Sequence, residues 1–155
     1  LLEEHAASLE VWPQAGDAHD DVVRESYAGL LDKGVQVAPF IEDMAAAYAW
    51  ADLVLCRAGA LTVAELAVMG RPAMLVPLPQ AIDDHQTANA RSLTDRGGAV
   101  LLRQSEMNVE SLVQSLQGYL AHPQRLPAMA AASRATATPD AAQRVSDCCE
   151  ELLHG

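Results

Sequence analysis

Short apolar runs alternate with helix-patterned stretches along most of this chain, and that alternation constrains the fold more than any other feature. Three runs carry it: Asp52–Cys56, Pro72–Pro77 and Ala99–Leu102. Each has strand length and is bounded by small or turn-forming residues. Between them, Thr62–Met69 and His85–Arg96 show helical spacing, and Gly70 and Gly97-Gly98 stand where helices end. Strands and helices alternating at this spacing predict βαβ units and an α/β fold with a doubly wound parallel sheet. Asp52–Cys56 is apolar nearly throughout, as expected of a strand buried on both faces.

The flanking segments extend the pattern. Leu1–Leu9 reads as a helix, Glu10–Gln14 as a short strand, and Asp20–Leu31 as a helix closed by Lys33-Gly34. Val35–Ile41 reads as a strand and Met44–Trp50 as a short helix. Helices follow at Val109–Leu120, about Arg125–Ala135 and Asp140–Leu153, with Pro139 just inside the start of the last. The chain opens inside a helix with neither a start Met nor a preceding strand, so it is expected to be a piece of a longer protein.

Its 155 residues suit one domain, and 50% hydrophobic content can fill a core. A formal net charge of -11 argues against nucleic acid as partner and against contact of this segment with an anionic membrane. No run approaches the roughly 20 apolar residues of a membrane span. Cys56, Cys148 and Cys149 offer no disulfide framework or zinc spacing, and each reads as a small buried apolar residue.

Ligands of open α/β sheets bind beyond the carboxyl ends of the strands. Three turns qualify, 39–44, 57–65 and 78–89, and they are expected to lie side by side. In the second, a small-residue turn leads into a helix whose free N–H groups suit an anion such as a diphosphate. Glu65, read as a first-turn residue, could accept hydrogen bonds from two ribose hydroxyls. Thr62-x-x-Glu65 is also a capping box, and spacing alone prefers that. In the third turn Gln86 and Asn89 share a helix face and suit sugar hydroxyls or an acetamido group. Spacing alone prefers Asp83 or Asp84 as a cap and His85 as a solvated first-turn residue. In the first, backbone at Ile41 could meet a base edge while Phe40 or Ile41 packs on its face; an Asp43 cap is the simpler reading. No convincing general base or nucleophile is present.

Together the runs 40–52, Cys56-Arg57-Ala58-Gly59-Ala60-Leu61-Thr62-Val63-Ala64-Glu65, Pro72–Pro77 and Asp84-His85-Gln86-x-x-Asn89-Ala90 resemble the MurG family, the GlcNAc transferases of bacterial peptidoglycan synthesis. The resemblance covers nearly all of the chain. It implies that residues 1–155 are part of the carboxy-terminal UDP-GlcNAc-binding domain, the Rossmann-like half of a GT-B glycosyltransferase. It further implies an inverting transfer of GlcNAc from UDP-GlcNAc to lipid I, giving lipid II, with no cofactor and no metal. By motif, Ile41 would meet the uracil through its backbone. Ala60, Leu61, Thr62, Val63, Ala64 and Glu65 would line the donor, with Glu65 on the ribose, which reverses the preference for the capping box. Gln86 would hold the GlcNAc hydroxyls, with His85 and Asn89 close by. Catalysis would need an amino-terminal domain that carries the acceptor and the base. The resemblance also implies that the first strand of this domain and its phosphate loop are missing. The helix at about 140–153 would pack toward that amino-terminal domain, leaving Val145, Cys149, Leu152 and Leu153 partly unburied here. The implied location is the cytoplasmic face of the inner membrane, peripherally. The alternatives are another GT-B enzyme of UDP-GlcNAc, such as a 2-epimerase, or a non-catalytic nucleotide-sugar-binding module.

Overall fold

The computed structural model describes residues 9–31, 33–79 and 84–154. The expected helix Leu1–Leu9 and residues 80–83 of the third turn lie outside the described residues. The chain divides into two compact units, 1–47 and 48–155.

In the first unit, two extended segments run parallel and touch at isolated bridges, Val11 to Val35 and Gln14 to Ala38. The Val11 N–H donates to the Gly34 carbonyl (2.8 Å), and the Ala38 N–H to that of Pro13 (3.0 Å). Continuous strands were expected at 10–14 and 35–41. Pro13 and Pro39 have no N–H to give, and the ladder is reduced to single rungs. Helix α1 spans Asp20–Ser26, five residues short of the expected Leu31. The Ser26 hydroxyl donates back to the Val22 carbonyl (2.8 Å), and Gly29 weakens any continuation. Arg24 ties α1 down, from Nε to Asp20 (2.6 Å) and from Nη2 to the Val37 carbonyl (2.7 Å).

Helix α2 spans Met44–Trp50, as expected. The Asp43 side chain caps it by accepting from the Ala46 N–H at 2.8 Å.

The second unit holds strands β1 (Val54–Cys56), β2 (Ala73–Leu75) and β3 (Ala99–Leu101) in one parallel sheet of order β1-β2-β3. Helices α3 (Ala60–Met69) and α4 (His85–Thr94) make the two crossovers, which is the expected βαβ pattern. Helices α5 (Val109–Ala121), α6 (Arg125–Arg134) and α7 (Ala141–His154) follow. Pro139 therefore stands ahead of the last helix rather than inside it. All of β2 is buried. Met74 faces a cluster with Tyr119, Met129 and the partly buried Leu112, Leu116 and Leu126. Ala73 and Leu75 project to the opposite face by strand alternation, and both are fully buried. Helices α3 and α4 pack on each other and bury Leu66, Ala67, Ala90 and Leu93.

Two expectations fail here. Leu55 of β1 is 47% exposed, because β1 pairs within this sheet only with β2 and is not covered on both faces. Cys149 is exposed, not a core residue. On α7, Leu152 is exposed too; the side chains of Cys148, Val145 and Leu153 lie outside the described set. Gly70 ends α3 in the left-handed region, with φ at 61°. A side chain there would be strained and would meet Arg134 Cβ at 3.2 Å. No helix among the described residues is long and apolar enough to cross a membrane.

Candidate functional site

The carboxyl ends of β1 and β2 open onto two helix starts. Cys56 leads through Arg57, Ala58 and Gly59 into α3, and Leu75 leads toward α4. Gly59 is the N-cap of α3, and no side chain caps it. The first turn of α3 contains no acid, so its N–H groups keep their full partial positive charge. A Cβ built on Gly59 would stand 3.7 Å from Thr62 Oγ1, which puts the Thr62 hydroxyl near the mouth of the helix. Ala60, Leu61, Ala64 and Glu65 are exposed, Thr62 is half-buried, and Val63 turns into the core.

The start at Ala60 rules out the capping-box reading of Glu65. A capping box needs Thr62 at the N-cap, but Thr62 is the third helical residue and Glu65 the sixth. Glu65 thus stands in the second turn, not the first, and does not bond the Thr62 backbone. Its Oε2 instead accepts a hydrogen bond from the Tyr48 hydroxyl of α2 at 2.9 Å. Burial, and then the neighbouring Glu65 carboxylate, push the Tyr48 phenol well above its usual range. The phenol is therefore a donor at any physiological pH.

The third turn is tied to the second. The Asn89 Nδ2 donates to the Ala58 carbonyl at 3.1 Å, linking α4 to the turn between β1 and α3. Gln86 Oε1 accepts from the Leu78 N–H at 3.0 Å. The two amides lie on one helix face, as the spacing predicted. Each spends one atom on a loop and keeps further capacity for a ligand. His85 opens α4 and is exposed. Asp84 is the N-cap residue, at φ 53° and without a side-chain cap bond; its carboxylate accepts instead from the Thr87 hydroxyl at 2.6 Å. The left-handed conformation costs Asp less than most residues.

Ile41 belongs to the first unit. Its side chain is buried, and its N–H donates to Gln14 Oε1 at 3.0 Å. Phe40, by contrast, is 66% exposed and is the outward-facing apolar group of that turn.

Three residues without an assigned role in the sequence reading hold these positions. Tyr48 holds Glu65, and Gln14 holds the Ile41 N–H. Arg57 Nη1 reaches Gln104 Oε1 at 2.8 Å and the Val76 carbonyl at 3.3 Å, which sets a guanidinium at the carboxyl ends of β1 and β2. Arg57 is the sole charged residue between strand and helix, and that was its sequence signal. Tyr48 and Gln14 act over 17 and 27 residues of separation, which no local spacing rule detects.

Cys56 ends β1, and burial pushes its thiol up to about 11. It stays protonated at pH 8, and Cys149 is exposed where Cys56 is half-buried. A maleimide pulse at pH 8, read by peptide mass mapping, is expected to label Cys149 well before Cys56. Equal labelling would show that β1 is not held as described. Among the described residues no three His, Cys, Asp or Glu side chains gather as a metal ion would need. A depression lined by Leu102, Arg103, Met107 and Ser115 lies elsewhere in the second unit, and neither the residues 60–65 nor His85, Gln86 and Asn89 line it.

Residues 1–145 match the glycosyltransferase family 28 C-terminal domain. A protein of Stutzerimonas stutzeri (strain A1501) is 52% identical over 148 residues, covering 94% of this chain and 41% of that protein. A protein of Nitratidesulfovibrio vulgaris (strain DP4) is also 52% identical, over 147 residues, covering 95% and 40% respectively. Both are named UDP-N-acetylglucosamine--N-acetylmuramyl-(pentapeptide) pyrophosphoryl-undecaprenol N-acetylglucosamine transferase. The crystal structure of Acinetobacter baumannii MurG superposes with a TM-score of 0.85 at 46% identity, covering 92% of this chain and 41% of that one. The chain thus spans about two fifths of the length of the relatives it matches.

Proposed function

The chain belongs to the glycosyltransferase family 28 C-terminal domain family, and from that premise we propose that it is the donor-binding part of an inverting transferase that moves GlcNAc from UDP-GlcNAc to lipid I. The observation that carries this reading is the position of Glu65. Its carboxylate is exposed, is not consumed by a helix cap, and stands one turn inside a helix whose mouth is uncapped and free of acid. A ribose diol needs an accepting carboxylate, and a diphosphate needs converging N–H donors. Here one helix carries both, in an order and spacing that suit a nucleoside diphosphate.

In this reading the start of α3 stabilises the charge that grows on UDP as the glycosidic bond breaks. Preorganised N–H dipoles favour that charge without reorganising. Arg57 adds a fixed positive charge beside them. The Gln86 and Asn89 amides face the sugar, with His85 beside them. A MurNAc hydroxyl of the acceptor attacks the anomeric carbon from the side opposite UDP. The base and the lipid-linked acceptor belong to a second domain, and domain closure completes the site. The exposed Cys149 and Leu152 on α7 support a packing surface toward that domain. Activity would then take place at the cytoplasmic face of the membrane, with attachment through the other domain.

Glu65→Ala tests the reading. The expected result is a loss of UDP-GlcNAc affinity of tenfold or more, since a hydrogen bond to a charged group contributes about 1.5–3 kcal/mol. Stability is expected to change by only about 1 kcal/mol, for the lost Tyr48 bond. Calorimetric titration with UDP-GlcNAc reads the first, and urea denaturation the second. Unchanged affinity in a folded variant removes Glu65 from the donor site.

A further inference from the structure

We infer that Tyr48 is a positioning residue for donor recognition, holding the Glu65 carboxylate in the orientation that reads the ribose hydroxyls. The inference rests on the assignment of Glu65 to the ribose. It adds a residue of another helix, which touches no ligand, as the one that sets the selectivity for ribose.

The geometry is specific. Tyr48 is 5% exposed and lies on α2, while Glu65 is exposed on α3. The phenol hydroxyl donates to Oε2 alone, at 2.9 Å. A carboxylate has about four lone-pair sites. The phenol takes one, on Oε2, and leaves enough for both hydroxyls of a vicinal diol. A free glutamate on a helix surface samples many rotamers, and fixing one costs conformational entropy. The buried ring of Tyr48 cannot wander, so its hydroxyl settles that cost on folding rather than on binding. The phenol also cannot compete as an anion, because burial and the facing carboxylate keep it protonated. Packing alone does not account for the contact. Phenylalanine would fill the same space without burying a hydroxyl.

The test compares two ligands that differ by one hydroxyl, UDP-GlcNAc and its 2′-deoxyuridine counterpart, titrated by NMR into this chain. Wild type, Tyr48→Phe, Glu65→Ala and the double variant complete a cycle. Tyr48→Phe keeps the ring and its burial, and the amide spectrum verifies the fold. Wild type is expected to prefer the ribose form by about tenfold, the equivalent of one charge-assisted hydrogen bond. Tyr48→Phe is expected to narrow that preference to about threefold or less, weakening the deoxy ligand, which keeps one hydroxyl for Glu65, less than the ribose ligand. In the Glu65→Ala background it is expected to have no further effect.

A preference undiminished in Tyr48→Phe but abolished in Glu65→Ala overturns the inference and leaves the Glu65 assignment standing. Equal weakening of both ligands by Tyr48→Phe also overturns it, since that is the signature of a merely structural role. A preference untouched by Glu65→Ala overturns the donor-site reading and the inference together.

Discussion

Leu66→Ala is expected to remove about 2–5 kcal/mol of stability, the range for emptying a fully buried leucine site. Leu66 is 0% exposed in α3, between the half-buried or exposed faces that carry Thr62 and Glu65. Its backbone is equally committed: the carbonyl accepts from the Arg71 N–H at 2.9 Å and from the Ser133 hydroxyl at 3.2 Å. The surroundings therefore have little freedom to collapse into the vacated space, which puts the cost in the upper half of that range. Urea denaturation followed by circular dichroism reads it as a lower midpoint with an unchanged slope. A loss below about 1 kcal/mol would mean that α3 is not packed as described.

Gly98→Ala is expected to cost about 3 kcal/mol, although it adds a single methyl group. A Cβ there would stand 2.7 Å from both the N and the Cα of Ser133. Those are backbone atoms of α6, so no rotamer change relieves the clash. Either α6 moves away from the loop that enters β3, or that loop opens. For a chain of this size the melting temperature should fall by roughly 10 °C. Gly118→Ala supplies the opposite control. Gly118 lies within α5, and the nearest atom to its added Cβ is Arg125 Nη1 at 3.9 Å. There the better helix former is expected to raise stability by about 0.5–1 kcal/mol. Similar shifts at both glycines would refute the close approach at residue 98.

The parts of the fold legible in the sequence are those set by local chemistry. Gly70 ends α3, Asp43 caps α2, and the apolar runs at 54–56, 73–75 and 99–101 are parallel strands. Each follows from residue type and spacing over a few positions. The errors arose where one chemical group had two possible uses. Ser26 could continue a helix or bond back to Val22, and it bonds back. Thr62 could cap a helix or sit inside one, and Gly59 takes the cap. That second error concealed the more informative arrangement. A glutamate assigned to a capping box needs no other partner, so nothing in the spacing pointed to Tyr48. The candidate site residues came from whole-motif resemblance, since each loop alone favoured a purely structural role. What the loops do for one another, Asn89 on Ala58 and Gln86 on Leu78, depends on tertiary approach and was not readable in advance.

The bond from the Leu78 N–H to Gln86 Oε1 has a consequence for how this scaffold can diversify. It staples together the two ends of the segment 79–85, so that β2 and α4 keep their spacing whatever that segment contains. The entropy of closing a loop grows only slowly with length, by about 0.6 kcal/mol per doubling. Residues between the stapled ends can therefore be exchanged, lengthened or shortened as a cassette, without changing the register of α4 or the aim of Asn89. A change in that cassette leaves untouched the turn between β1 and α3, which Asn89 holds through the Ala58 carbonyl.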